Sequence, residues 1–155
     1  MKAFKKVGVA GTFAQFHIGH ESLLKTAFKL GELVVVAITS DEMVKNKILS
    51  EKIPKFESRK QNMIKYLEKH GFLKHAQIVK LEDKYGTAIT DKEQDAIVVS
   101  EDTYKVAEEI NKIRRERALP PLTIISIPLI YSKDNKPISS TRIRTGEIDS
   151  KGHLI

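Results

Sequence analysis

The stretch VGVAGTFAQFHIGHESLLKTAFKLGELVVVAI, residues 7–38, decides how this chain folds. Val7 to Ala10 is a short apolar run that reads as a buried strand. From Glu21 onward, Leu23, Leu24, Ala27 and Phe28 fall on one helical face, and Gly31 is expected to stop the helix. Leu33 to Ile38 is continuous, apolar and β-branched, the mark of a strand covered on both faces. Strand, helix and second buried strand in immediate succession make the unit from which parallel sheets are built.

The alternation continues to the end of the chain. Ser40 and Asp41 predict the cap of a short helix through Lys47. SRKQNMIKYLEKHG (58–71) sets Met63, Ile64 and Leu67 on one stripe and ends in glycine. AQIVKL (76–81) and DAIVVS (95–100) predict a third and a fourth strand. EDTYKVAEEINKIRRER (101–117) carries Val106, Ala107, Ile110 and Ile113 at helical spacing, and Pro120-Pro121 end it. LTIISIPLI (122–130) predicts a fifth strand, and a short last helix is expected after Ile138. The expected fold is α/β, a Rossmann-like three-layer domain with a five-stranded parallel sheet, forming one domain over residues 1–155.

Composition narrows the class. Of 155 residues, 41% are hydrophobic and 30% charged, a globular balance. Cysteine is absent, which excludes disulfides, thiolate metal sites and thiol nucleophiles and fits a cytoplasmic setting. MKAFKKVGVAGTF has the basic-then-apolar outline of a secretory signal. Its apolar part, however, runs into the histidine motif without a small-residue cleavage site, so that reading is rejected. Leu33 to Ile38 is too short to span a bilayer, and no membrane partner is expected. The net charge of +7 suits solubility or an anionic partner: nucleic acid, nucleotide or phosphorylated metabolite. Oligomeric state is left open, with the monomer as the default.

In open parallel sheets, ligands bind beyond the carboxyl ends of the strands. His17-Ile18-Gly19-His20 lies there, on the entry to the first helix. Both imidazoles can point at the helix N-terminus, where free N–H groups and the dipole favour an anion. Gly11 is read as the tight turn after the strand, Gly19 as room for a phosphate against the main chain, and Thr12 as a hydroxyl donor. No metal ligand is assigned: His70, His75 and His153 lack useful spacing, and there is no H-E-x-x-H. Neither standard glycine-rich phosphate loop occurs. Near the other end, ISSTRIR (138–144) supplies hydroxyls and forked arginine donors for phosphate oxygens.

H-x-G-H is also the signature of class I aminoacyl-tRNA synthetases, but the chain has no K-M-S-K-S and no room for an anticodon-binding domain. G-T-F-x-x-x-H-x-G-H with a distal I-S-S-T resembles the nucleotidylyltransferase superfamily. TSDEMVKNKILSEKI (39–53), DKYGTA (83–88), VVSEDTYKVAEEINKIRRE (98–116) and ISSTRIRTGEID (138–149) narrow the resemblance, over nearly the whole chain, to the archaeal phosphopantetheine adenylyltransferases. The resemblance implies transfer of AMP from ATP, with Mg²⁺, to 4′-phosphopantetheine, giving dephospho-CoA and pyrophosphate; CoA or dephospho-CoA is then a product or ligand.

Carried over, the resemblance makes His20, His17 and Lys47 catalytic. It assigns Gly11, Thr12, Phe13, His17, His20, Ser139, Ser140, Thr141 and Arg142 to ATP, and Thr12, Lys45 or Lys47, Arg59 and Arg114 to the acceptor. Ser100, Glu101 and Asn111 match the family block without an assigned role. The family's usual G-T-F-D has Ala14 in place of the aspartate. Two other readings compete. One is another nucleotidylyltransferase, an FAD synthetase or a glycerol-phosphate cytidylyltransferase. The other is a basic nucleic-acid-binding domain, against which stands the lack of aromatic stacking or helix-turn-helix signals; no nucleic-acid partner is expected.

Overall fold

A computed structural model describes all residues, 1–155. Five strands, β1 (Phe4–Gly11), β2 (Gly31–Thr39), β3 (Ala76–Leu81), β4 (Ala96–Ser100) and β5 (Thr123–Ile127), form one wholly parallel sheet in the order β3-β2-β1-β4-β5. The helices are α1 (Ile18–Leu30), α2 (Asp41–Val44), α3 (Phe56–Lys69), α4 (Tyr104–Glu116) and α5 (Ser140–Arg144). This is the Rossmann-like α/β fold expected from the alternation.

Strand periodicity separates two apolar layers. Val7, Val9, Val34, Val36, Ile38, Ala96 and Val98 face α1 and α3, meeting Leu24, Phe28, Met63 and Leu67. The intervening Ile97 and Val99 face the other way, onto Ala107 and Ile110 of α4. A fully buried side chain such as Phe28 or Leu67 contributes about 2 kcal/mol. On this second face β1 and β2 offer only Gly8, Ala10, Val35 and Ala37, and these small residues line an open cavity rather than a filled core.

Several boundaries differ from expectation. Gly31 is not a left-handed stop. Its φ is −106°, it opens β2, and the helix passes straight into the strand. A Cβ there would lie 2.7 Å from Val7 Cγ2, which is why glycine stands at this crossing. The helix capped by Ser40 ends at Val44, short of Lys47. β5 ends at Ile127 because Pro128 lacks the N–H that the ladder needs. The left-handed residue after β1 is Phe13, with φ 51°, not Gly11; its buried ring holds a conformation that costs about 1–3 kcal/mol.

Candidate active site

The H-x-G-H segment builds a pair of oriented hydrogen-bond donors. His17 is the N-cap of α1, and its Nδ1 accepts the Gly19 N–H at 3.0 Å. The His17 N–H donates to His20 Nδ1 at 3.2 Å. Each ring thus spends Nδ1 as an acceptor, so each neutral ring carries its proton on Nε2. The rings stack with centroids 3.8 Å apart, and Phe13 and Phe16 each lie 5.2 Å from His20. Burial pushes the His17 pKa down to about 4. Burial, and then repulsion from His17, takes His20 down to about 3. At neutral pH the pair donates without being cationic.

Two expectations for this turn need correction. A Cβ on Gly19 would sit 2.8 Å from His17 Cε1, so glycine here makes room for the imidazole rather than for a phosphate. The helix N-terminus is not a bank of free donors either. Ile18 N–H donates to Ser150 O at 3.1 Å, and Gly19 N–H is taken by His17. The two imidazole Nε2–H groups, in contrast, have no partner within the protein.

Gly11, Thr12, His17 and His20 line a cavity of about 500 Å³ at the carboxyl ends of the strands, where β1 and β4 diverge. Ser139, Ser140 and Thr141 line it from α5, whose first turn is capped by Ser139 Oγ accepting Arg142 N–H at 3.2 Å. Ser140 Oγ donates to Gln15 O at 3.2 Å, tying α5 to the histidine loop. Lys47, Arg144 and the Glu109-paired Lys84 bring positive charge, and Asp102 is the one carboxylate in the lining. Burial pulls Lys47 below the ordinary lysine value, and the nearby Arg144 and Arg59 charges add to this. A site that strains to hold its own cations is a site that gains from an anion.

The remaining basic residues sort cleanly. Lys45 stands outside the cavity, 58% exposed and paired with Glu42. Arg142, expected on ATP, is turned away: it donates to Glu147 at 2.7 Å, Asp134 at 2.6 Å, Ser132 Oγ at 2.7 Å and Pro137 O at 3.0 Å. Arg144, two residues on, takes the place in the cavity wall, braced by Ile48 O, Gln15 Oε1 and Thr141 Oγ1. Residues two apart on one helical turn face opposite ways, but the sequence does not say which of the two faces the cavity.

Arg59 and Arg114, expected at the acceptor, are each 1% exposed and committed to the protein. Arg59 donates to Pro54 O, Thr12 O, Thr39 O and Asp41. Arg114 donates to Pro120 O, Ala88 O, Asp91 O and Gln94 O. Each commits four of its five N–H donors to the protein, and neither lines the cavity.

The family block also acquires physical roles. Asn111 exchanges two hydrogen bonds with the Leu122 backbone, fixing the entry to β5. Ser100 and Thr103 cap each other before α4, and Glu101 is exposed. Phe13 and Ala14 face a separate pocket of about 180 Å³ with Phe16, Arg59 and Tyr66.

No group of three or more metal-ligating side chains occurs. The donors present, hydroxyls, imidazoles and cations, suit phosphate oxygens rather than a bare divalent ion.

Residues 9–146 match the cytidylyltransferase-like family. The chain is 46% identical over 155 residues to a phosphopantetheine adenylyltransferase of Pyrococcus abyssi, covering 100% of this chain and 98% of that protein. It is 47% identical to the protein of the same name in Pyrococcus horikoshii, covering 99% and 96%. Among solved structures, a protein of unknown function from Archaeoglobus fulgidus superposes with a TM-score of 0.71 at 33% identity, over 79% of this chain and 88% of that one.

Proposed function

We propose that this chain, which belongs to the cytidylyltransferase-like family, is an enzyme of coenzyme A biosynthesis that transfers the adenylyl group of ATP to 4′-phosphopantetheine. The observation that carries the site reading is the stacked pair of neutral histidine donors sharing one cavity with Lys47 and Arg144. Likeness over the full length to enzymes named for this activity supports the substrates.

An oxygen of the acceptor phosphate attacks the α-phosphorus of ATP in line. The bond from that phosphorus to the bridging oxygen breaks, the electron pair leaves with pyrophosphate, and dephospho-CoA remains. No protein nucleophile takes part, so the protein's contribution is position and charge. His20 and His17 donate Nε2–H to phosphate oxygens, where negative charge grows. Lys47 bridges the two substrates' phosphates, and Thr12 donates its hydroxyl at the same point. The Ser139 and Thr141 hydroxyls, the Ser140 main-chain N–H and Arg144 hold the leaving pyrophosphate. Mg²⁺ enters with ATP. The apolar floor from Val35 and Ala37 to Ala88 and Ile110 suits the uncharged pantetheine arm. A cytoplasmic setting, where ATP is supplied, goes with this reading.

Replacing His20 with Ala tests this reading. Loss of one preorganised donor is expected to lower kcat by about 10²–10³-fold with the circular dichroism spectrum unchanged. Wild-type kcat in a folded His20→Ala protein contradicts it.

A further inference from the structure

Thr39 enters none of the assignments above, yet it touches the reacting centre's support. It is the last residue of β2, beside Thr12 across the β1–β2 ladder, where Gly11 pairs with Ile38. Thr39 Oγ1 donates to Thr12 Oγ1 at 3.0 Å. The direction of that bond follows from its surroundings. Arg59 Nη1 lies 3.4 Å from Thr39 Oγ1 and 2.7 Å from Thr39 O. A guanidinium only donates, so the Thr39 hydroxyl hydrogen cannot point toward it. Thr39 also borders the cavity, but within the protein Thr12 Oγ1 is the one acceptor its hydroxyl reaches, so that hydrogen goes to Thr12, whose Oγ1 becomes an acceptor on this side and keeps its own hydrogen for a different partner. Thr12 lines the cavity, so that partner lies there. Arg59 also fixes the Thr12 carbonyl at 3.0 Å, so the residue cannot swing to escape the arrangement.

We propose that Thr39 is a positioning residue for adenylyl transfer: with Arg59 behind it, it turns the Thr12 hydroxyl hydrogen toward the reacting phosphate. The inference rests on the function proposed above. Hydrogen bonds in such a chain polarise one another, so the Thr12 donor is also strengthened by the charge two links away.

The test is a double-mutant cycle in the acceptor-dependent pyrophosphate-release assay. Thr39→Val keeps the shape and removes the hydroxyl; about a tenfold fall in kcat is expected, with KM for ATP and thermal stability little changed. Thr39→Ser restores the rate. In a Thr12→Val background, Thr39→Val has no further effect. If Thr39→Val is unstable, Thr39→Ala in the same cycle gives the same split. Wild-type kcat in the Thr39 variant, or losses that simply multiply with those of Thr12→Val, overturns the inference, the latter because it marks a separate contact to substrate. A wild-type protein without acceptor-dependent release defeats the parent reading and this one together, whereas a normal wild type with an indifferent Thr39 defeats only this one.

Discussion

His17 and His20 are neutral because the fold buries them, and this has a consequence for stability. The unfolded chain protonates its histidines below pH 6.5, whereas the folded protein resists until about 4 and 3. Above pH 6.5 neither state binds these protons and the pair is silent. As the pH falls below 6.5, the unfolded state binds more protons and folding loses up to about 1.4 kcal/mol per pH unit per histidine until the folded values are reached. Urea titrations from pH 7.5 to 5 should show this slope. His20→Asn, whose Oδ1 can still accept the His17 N–H, should reduce it by about half; an unchanged slope would place the pH dependence elsewhere. Lysines at the same site allow a sharper comparison. Lys47→Ala should lower kcat/KM by about 100-fold, since it removes a charge from the phosphate site, while Lys45→Ala, exposed beyond it, should stay within about twofold. The sequence marked both histidines through their spacing around glycine. It could not separate Lys45 from Lys47, or Arg142 from Arg144, because two residues of the same chemistry at neighbouring positions differ only in which way the turn aims them.

Elements were legible where periodicity is long and blurred where packing overrides it. α3, with its stripe ending at Gly71, and the apolar run of β2 follow directly from their patterns. The segment after α5 has no pattern, yet Ile148 is fully buried and Ser150 O caps α1. One backbone carbonyl and one plugged side chain leave no periodic trace. The family block on α4 is visible as a motif, but a motif does not say what its residues hold. Asn111 and Arg114 hold the backbone around β4 and β5 rather than substrate. Arg114→Met should therefore cost about 3 kcal/mol or more, by stranding buried carbonyls, with denaturant midpoints as the readout. Its kcat, measured where the variant stays folded, should remain near wild type; a kinetic loss without a stability loss would return Arg114 to the active site.

Alternating strands and helices implied a parallel sheet, but strand order lies outside what local patterns encode. The order β3-β2-β1-β4-β5 sets β1 at the centre. Thr12 and the histidines follow β1, Lys47 follows β2, and Ser139 to Arg144 return from beyond β5, so residues more than a hundred positions apart meet at one sheet edge. Small residues on the second face of β1 and β2 leave this edge open to an elongated substrate. The most direct test of the whole assembly is pyrophosphate release by the purified chain given ATP and Mg²⁺, with and without 4′-phosphopantetheine, and with CTP in place of ATP. Release that requires both ATP and the acceptor is the expected result. Release that ignores the acceptor, or that prefers CTP, would contradict the assignment.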